Sequence, residues 1–177
     1  LTDVNEWLKM IVISDDCNQE KAALIKTIEI FNIPLWPLEA FATSMIYDIN
    51  NDGFASMESF LTYAQGASVA PASIFVHLSG LTSQDGHYND PSFDVREAAT
   101  PCAIFSYLVH IMRDFQKDQF NNLNYFADDL IRENGLTRHD LKNIAHGSPV
   151  PDGFRNLIRE YCELADNYRM RTHKVIE

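Results

Sequence analysis

The chain has 177 residues, 46% of them hydrophobic, and 14 Lys and Arg against 25 Asp and Glu give it a net charge of −11. That is one domain's worth of chain with an ordinary globular share of apolar residues, so disorder is not expected. The acidic balance argues against nucleic acid as a partner, because a phosphate backbone needs neutralising Lys and Arg. No run of 18 apolar residues occurs, so no membrane-spanning helix is expected.

In chain order the elements read as helices. Residues 4–13 are apolar-rich around Trp7 and suggest a short helix or a connector. Residues 20–31 carry a helical stripe of Ala22, Ala23, Ile25, Ile28 and Ile30 that stops before Asn32-Ile33-Pro34. Residues 37–50 follow, with Leu38, Phe41, Ala42, Met45 and Ile46 at i, i+3, i+4 spacing. A long helix over 56–79 is interrupted near Gly66 and Pro71, and residues 82–91 read as a loop. Residues 93–120 form the next helical run, where Pro101 predicts a kink or a division at Thr100. Segments 124–133, 137–145 and 153–173 complete the chain, and Thr137-x-x-Asp140 has the form of a capping box. With no strand alternation the expected class is all-α, a single helical domain over 1–177.

Three cysteines, Cys17, Cys102 and Cys162, lack CxxC spacing and are odd in number. They suggest a reducing cytosol, with Cys102 as a small core residue. Asp48-Ile-Asn50-Asn-Asp52-Gly53 opens like an EF-hand calcium loop, but its twelfth position is Ser59 and no second loop occurs. A helix–helix turn is the better reading. His77, His87, His139, His146 and His173 share no metal-ligand spacing.

The chemistry concentrates in IFSYLVHIMRDFQKD, residues 104–118. Asp114 and Asp118 project from one helix face at i, i+4, about 6 Å apart. Ile104, Phe105, Leu108, Ile111, Met112 and Phe115 surround them with apolar cover, which predicts an interior helix. Two desolvated like charges need a neutraliser, and Mg²⁺ takes one or two carboxylates together with substrate phosphates. A charged helix end paired with Arg113 and Lys117 is the competing reading. His110 continues the stripe at i−4 and could hydrogen-bond a diphosphate or a metal-bound water, or be an ordinary satisfied histidine.

The segment RDFQKDQFNNLNYFADDLIRENGL, with Arg113-Asp114, Asp118, Tyr125, Asp128-Asp129-Leu130 and Gly135-Leu136, resembles the second aspartate-rich motif of the squalene/phytoene synthase family. FLTYAQGASVAPASIF (60–75) is similar to the family's Tyr-rich, small-residue helix, and NIPLWPLEAFATSMIYDIN (32–50) to the helix before it. The resemblance spans roughly residues 20–145. Several positions depart from the pattern: His110 stands for Asn, Leu123-Asn124 for the Arg before Tyr125, Ala127 for Pro, and Ser68-Val69-Ala70-Pro71-Ala72 for AGxVG. No DxxxD precedes Asn32, and Asp15-Asp16 beside Cys17 has Glu20, not a second Asp, four residues after Asp16. The chain therefore resembles the core of a longer domain, incomplete at the N-terminus and at the C-terminus.

The resemblance implies an isoprenoid-synthase-like helical bundle and a Mg²⁺-dependent transferase that condenses two prenyl diphosphates head-to-head through a cyclopropyl intermediate. Asp114 and Asp118 would bind metal and, with Tyr125, form the catalytic set. Arg113, His110 and Tyr63 would contact substrate, with Phe41, Met45, Phe60, Ile74 and Phe105 as candidates for the cavity wall. NADPH would be added if the product is squalene. A cytoplasmic protein in peripheral contact with a membrane is the implied setting, since such products partition into bilayers. The alternative is a non-catalytic member acting in binding or assembly.

Overall fold

In a computed structural model of the chain, residue 6 and residues 19–176 are described. The expected helix over 4–13 and the Asp15-Asp16-Cys17 run lie outside them, apart from Glu6, which is helical. Nine α-helices and a π-helical turn run through the described residues: α1 (Gln19–Ile30), α2 (Trp36–Asn50), α3 (Met57–Ala64), the π-turn (Gln65–Val69), α4 (Ala70–Gly80), α5 (Val95–Arg113), α6 (Phe115–Phe120), α7 (Asp128–Glu133), α8 (Arg138–Ala145) and α9 (Asp152–Ile176). The all-α class holds. The 82–91 segment is not a plain loop, because β1 (Thr82–Gln84) pairs antiparallel with β2 (His87–Asn89). Asp85 and Gly86 both have positive φ (52° and 81°), as a tight two-residue hairpin requires.

The chain divides into two compact units: residues 1–47 with 65–100, and residues 48–64 with 101–177. In the first, α1 turns Leu24, Ile25 and Ile28 inward and leaves its other faces to solvent. It ends on Asn32 at φ 49°, with Ile33 N–H bonded to the Ile28 carbonyl at 2.9 Å. Asparagine tolerates the left-handed conformation, and this 6→1 bond satisfies a terminal carbonyl. The buried His77 sets its Nε2 2.8 Å from the Phe31 carbonyl, to which it donates.

The interruption expected near Gly66 and Pro71 is the π-turn. An added Cβ on Gly66 would collide with the Ala40 carbonyl and the Ser44 hydroxyl, so α2 and the turn approach as only glycine allows. Pro71 sits in the first turn of α4, where a missing N–H costs least. Val69, Ala70 and Ser73 are fully buried there, and Ser73 returns its hydroxyl to the Val69 carbonyl at 2.8 Å.

The second unit is built on α5, α7, α8 and α9. Ile104, Leu108 and Ile111 are buried at i, i+4, i+7, each worth about 1.5–3 kcal/mol of apolar transfer. Leu157, Tyr161 and Ala165 form the matching stripe of α9, joined in the core by Phe126, Ile131, Leu141 and Ala145. Phe126 packs on Tyr161 with ring centroids 4.8 Å apart. Phe54 forms a parallel bridge with Ala127, and the Asp128 N–H donates to the Phe54 carbonyl at 2.9 Å. The Tyr161 hydroxyl accepts from the Ala127 N–H at 2.8 Å.

Two expectations for residues 93–120 are corrected. Pro101 does not divide the helix, since α5 runs unbroken from Val95 to Arg113. The Thr100 hydroxyl donates to the Arg96 carbonyl at 2.6 Å beside the missing donor. The break falls at Asp114 instead, whose φ −91° and ψ 4° leave helical geometry between α5 and α6. Nor is α5 buried all round: Val109, His110 and Arg113 are exposed, so its burial is a stripe. Cys102 is exposed as well, on the outward side of that stripe, and is not a core residue.

The turn expected over 48–53 starts later, because α2 continues through Asn50, and residues 51–56 join α2 to α3. Arg138 donates to the Asp52 carbonyl, and its guanidinium lies 3.4 Å from the Asp52 carboxylate while gripping Asp128 through two 2.7 Å hydrogen bonds. Gly53, at φ 91°, leaves room for that guanidinium, which a Cβ would meet at 2.9 Å.

Candidate functional site

All six residues expected at the site, Tyr63, His110, Arg113, Asp114, Asp118 and Tyr125, belong to the second unit. Tyr63 lies near the end of α3. That helix starts at a reciprocal pair in which the Ser56 N–H donates to Ser59 Oγ (3.1 Å) and the Ser59 N–H to Ser56 Oγ (3.2 Å). Asp129 adds a further acceptor for the Met57 N–H at 3.2 Å. These bonds satisfy the orphan donors of the first turn and fix the helix axis.

His110 and Arg113 occupy the last turn of α5, and the carboxylates follow. The Asp114 N–H donates to the His110 carbonyl (2.8 Å) and the Asp118 N–H to the Asp114 carbonyl (2.9 Å), so the i, i+4 relation survives the break at Asp114. The Asp114 side chain is 34% exposed. Arg113 holds both its oxygens, Nε to Oδ1 at 2.9 Å and Nη2 to Oδ2 at 2.7 Å. That hydrogen bonding keeps the Asp114 carboxyl below the usual carboxylate range, with nearby Lys117 and His110 adding smaller effects. Asp118 is half-buried and shifts the other way: desolvation raises it first, then the Asp114 charge.

Tyr125 lies between α6 and α7. Asn122 ends α6 at φ 57°, and Asn124 closes a side-chain turn with the backbone of Phe126. Tyr107 and Tyr125 meet edge to face at 6.5 Å between ring centroids. Phe60 stacks on Tyr107 at 5.7 Å, and Phe54 contacts Tyr63 at 4.9 Å and Tyr125 at 6.3 Å. Burial raises all three phenols, and the charges of Asp48 and Asp118 add to the shift of both Tyr107 and Tyr125. One face of the unit thus holds three tyrosines between two carboxylates.

Two members of this face were not anticipated. Asp48, read as the first position of a calcium-like loop, accepts a 2.7 Å hydrogen bond from the Tyr63 hydroxyl. Its place fifteen residues before Tyr63, across an intervening turn, carries no local signal. Phe54 lies within that turn and was masked by the same reading. Of the expected cavity wall, Phe60 and Phe105 lie in the second unit, fully and half buried. Phe41, Met45 and Ile74 lie in the first, with Phe41 exposed and the other two half-buried.

The donor set suits a hard divalent cation. Asp114 and Asp118 lie one helical turn apart, and Asp118 is raised first by desolvation and then by the Asp114 charge, penalties on its anion that a bound cation would offset. Among the described residues no cluster of three or more His, Cys, Asp or Glu is arranged to hold a metal by itself. Two carboxylates are enough where phosphates supply the remaining oxygens.

The family model for squalene/phytoene synthase matches residues 11–176. No curated protein matches. Among solved structures, the squalene synthase HpnC from Alicyclobacillus acidocaldarius is similar in fold, with a TM-score of 0.79 at 15% identity. The similarity covers 97% of this chain and 60% of the other, so the chain spans less than two thirds of that structure's length.

Proposed function

This chain belongs to the squalene/phytoene synthase family, and from that premise we propose that it carries the second half of a prenyl-diphosphate site and takes part in head-to-head condensation of two prenyl diphosphates. The observation that carries the reading is the pair Asp114 and Asp118, one helical turn apart beside Arg113 and electrostatically coupled to the tyrosine face.

Asp114 and Asp118 would hold the metal, and Mg²⁺, when bound, supplies positive charge to the departing diphosphate. Arg113 adds a guanidinium whose planar fork suits phosphate oxygens as well as the carboxylate it now grips. His110, exposed one turn earlier, is within reach of the same group. Heterolysis of the allylic C–O bond leaves a carbocation, which must be kept from water. The half-buried rings of Tyr107 and Tyr125, backed by the buried Phe54, Phe60 and Tyr63, would supply apolar cover and π-faces for that charge. The double bond of the second prenyl diphosphate would then attack within the same shelter, and the resulting cation would lose a proton to the released diphosphate as the cyclopropane closes.

The test uses the full-length protein with Mg²⁺ and farnesyl or geranylgeranyl diphosphate. Asp114→Ala should lower turnover by about 10²–10³-fold, the scale of losing one electrostatic stabiliser of a transition state, while circular dichroism stays unchanged. Wild-type turnover in that variant would end this reading. A wild-type protein that binds the diphosphates without converting them would support the non-catalytic alternative.

A further inference from the structure

Phe54 and Tyr125 stand on two stretches of the second unit, 52–57 and 124–129, joined by the parallel bridge of Phe54 with Ala127. The bridge is isolated, and so short a pairing is marginal without further support. Side chains fasten the two stretches on both sides of Phe54. After it, the Met57 N–H donates to Asp129 Oδ2 at 3.2 Å. Before it, Arg138 in the first turn of α8 donates through Nη1 to the Asp52 carbonyl, while Nε and Nη2 hold the two Asp128 oxygens at 2.7 Å. The Arg138 and Asp128 side chains are only 37% and 24% exposed, and such a fork fixes direction as well as distance. The guanidinium also packs on Gly53, where an added Cβ would meet Arg138 Nη2 at 2.9 Å and the Asn124 carbonyl at 3.1 Å. One residue beyond Asn124, Tyr125 sets its ring 6.3 Å from Phe54 and 6.5 Å from Tyr107. A slip of one residue between the stretches would carry it about 3.3 Å and turn it to the opposite face.

We propose that Arg138 is a positioning residue: its fork keeps the 52–57 and 124–129 stretches in register, so that the Tyr125 ring stays seated against Phe54 and Tyr107 as a water-excluding wall of the site. The inference rests on the prenyl-transferase reading of Asp114 and Asp118, and it adds a residue that acts through Tyr125 rather than on the substrate. No backbone ladder extends the bridge, so its register has to come from side chains. Water that reaches the prenyl cation forms a C–O bond to it and releases a proton, which gives the prenyl alcohol in place of the condensed product. A displaced wall therefore changes which product forms, and a stability defect alone does not.

The experiment compares Arg138→Gln, Arg138→Lys, Asp128→Asn and the Arg138→Gln, Asp128→Asn double variant in the full-length protein with Mg²⁺ and farnesyl diphosphate. The readouts are kcat for condensation, the ratio of farnesol to condensed product, affinity for farnesyl thiodiphosphate, and the NMR signal of ring-labelled Tyr125. Arg138→Gln should lower kcat by about 10–100-fold and raise the farnesol ratio by about tenfold, the range of a lost positioning contact. Analogue affinity should stay within about twofold of wild type, because the diphosphate is held elsewhere. Arg138→Lys should match Arg138→Gln to within about threefold, since a point charge cannot grip two oxygens and a carbonyl together. The double variant should fall within about twofold of Arg138→Gln, because both changes open one clamp. An unchanged farnesol ratio in Arg138→Gln, with kcat and thermal stability falling together, leaves a structural ion pair and overturns the proposal. Losses that multiply in the double variant, or an unmoved Tyr125 signal, overturn it too. Asp128→Asn preserves side-chain volume and decides the matter if Arg138→Gln does not fold. Wild-type protein that neither binds nor converts prenyl diphosphates removes the parent reading and this role with it. The Tyr125 signal, read without substrate, separates that result from failure of the clamp itself.

Discussion

Arg113 and Asp114 are neighbours in sequence that pair with each other, an arrangement a regular helix does not favour. Adjacent helical side chains diverge by about 100°. The departure of Asp114 to φ −91°, ψ 4° lets its carboxylate turn back to the guanidinium. The pair is solvent-exposed, so it contributes little stability and can open for a ligand. In Arg113→Gln the Asp114 carboxyl should titrate closer to its ordinary value of 3.8, which an NMR pH titration of that carboxylate reads. The sign is that of a depressed acid. Its stabilisation in the wild type is complete above the ordinary carboxylate value and is lost as pH falls through the folded one, and the variant lacks this pH dependence. The Asp114–Asp118 spacing and Arg113 were legible because i, i+4 geometry is local. The Asp48–Tyr63 bond was not, because it depends on a turn that brings the end of one helix back beside the end of the next.

At the level of elements, the helix ends were the most readable. Thr137 caps α8 as its sequence indicates: Thr137 Oγ1 accepts from the Asp140 N–H at 3.2 Å, and Asp140 accepts from the Thr137 N–H at 2.8 Å. Thr137→Ala should cost about 1 kcal/mol by urea unfolding. Asp140 is held below the usual range first by the Thr137 hydroxyl, which donates to its Oδ2 at 2.7 Å, and then by the Thr137 N–H, so it should rise toward normal in the same variant. Four helices end alike, on Asn32, Asn122, Gly135 and Gly147 at positive φ, each followed by a 6→1 bond such as Leu123 to Asp118 at 2.9 Å. Asparagine and glycine announce such ends, so boundaries near 31, 121, 134 and 146 could be anticipated. The fate of Pro101 could not, because competing positions for a break, Thr100 and Asp114, differ by tertiary context. Gly66 is the element-scale position with least freedom. Gly66→Ala should destabilise by about 2–3 kcal/mol, as overpacking against a backbone carbonyl does, and chemical denaturation measures it directly. The hairpin at 82–89 went unread because its strands are three residues each and wholly exposed, leaving no alternation to detect.

On the scale of the molecule, the helical class followed from periodicity. The division into two compact units did not, since α2 and α5 each contribute residues to both and the boundaries carry no linker composition. Within the second unit, Tyr161 is the point where α9 meets the Phe54–Ala127 bridge. Its hydroxyl satisfies a buried backbone donor, and Tyr161→Phe would leave the Ala127 N–H without it. A loss of about 1–3 kcal/mol is expected in equilibrium unfolding, together with faster amide exchange at Ala127. No helix among the described residues is long and apolar enough to cross a membrane.

Arg138 gives the turn over residues 51–56 a property that the calcium-like sequence around it conceals. Loops of that composition elsewhere are closed by a dissolved ion, so their rigidity rises and falls with supply, and a chelator dissolves them. Here the counter-charge is tethered to the polypeptide and brought to Asp52 and Asp128 by folding itself. Its local concentration is fixed by chain connectivity and owes nothing to the medium. The turn beside Asp48 therefore keeps its shape through swings in divalent-ion availability.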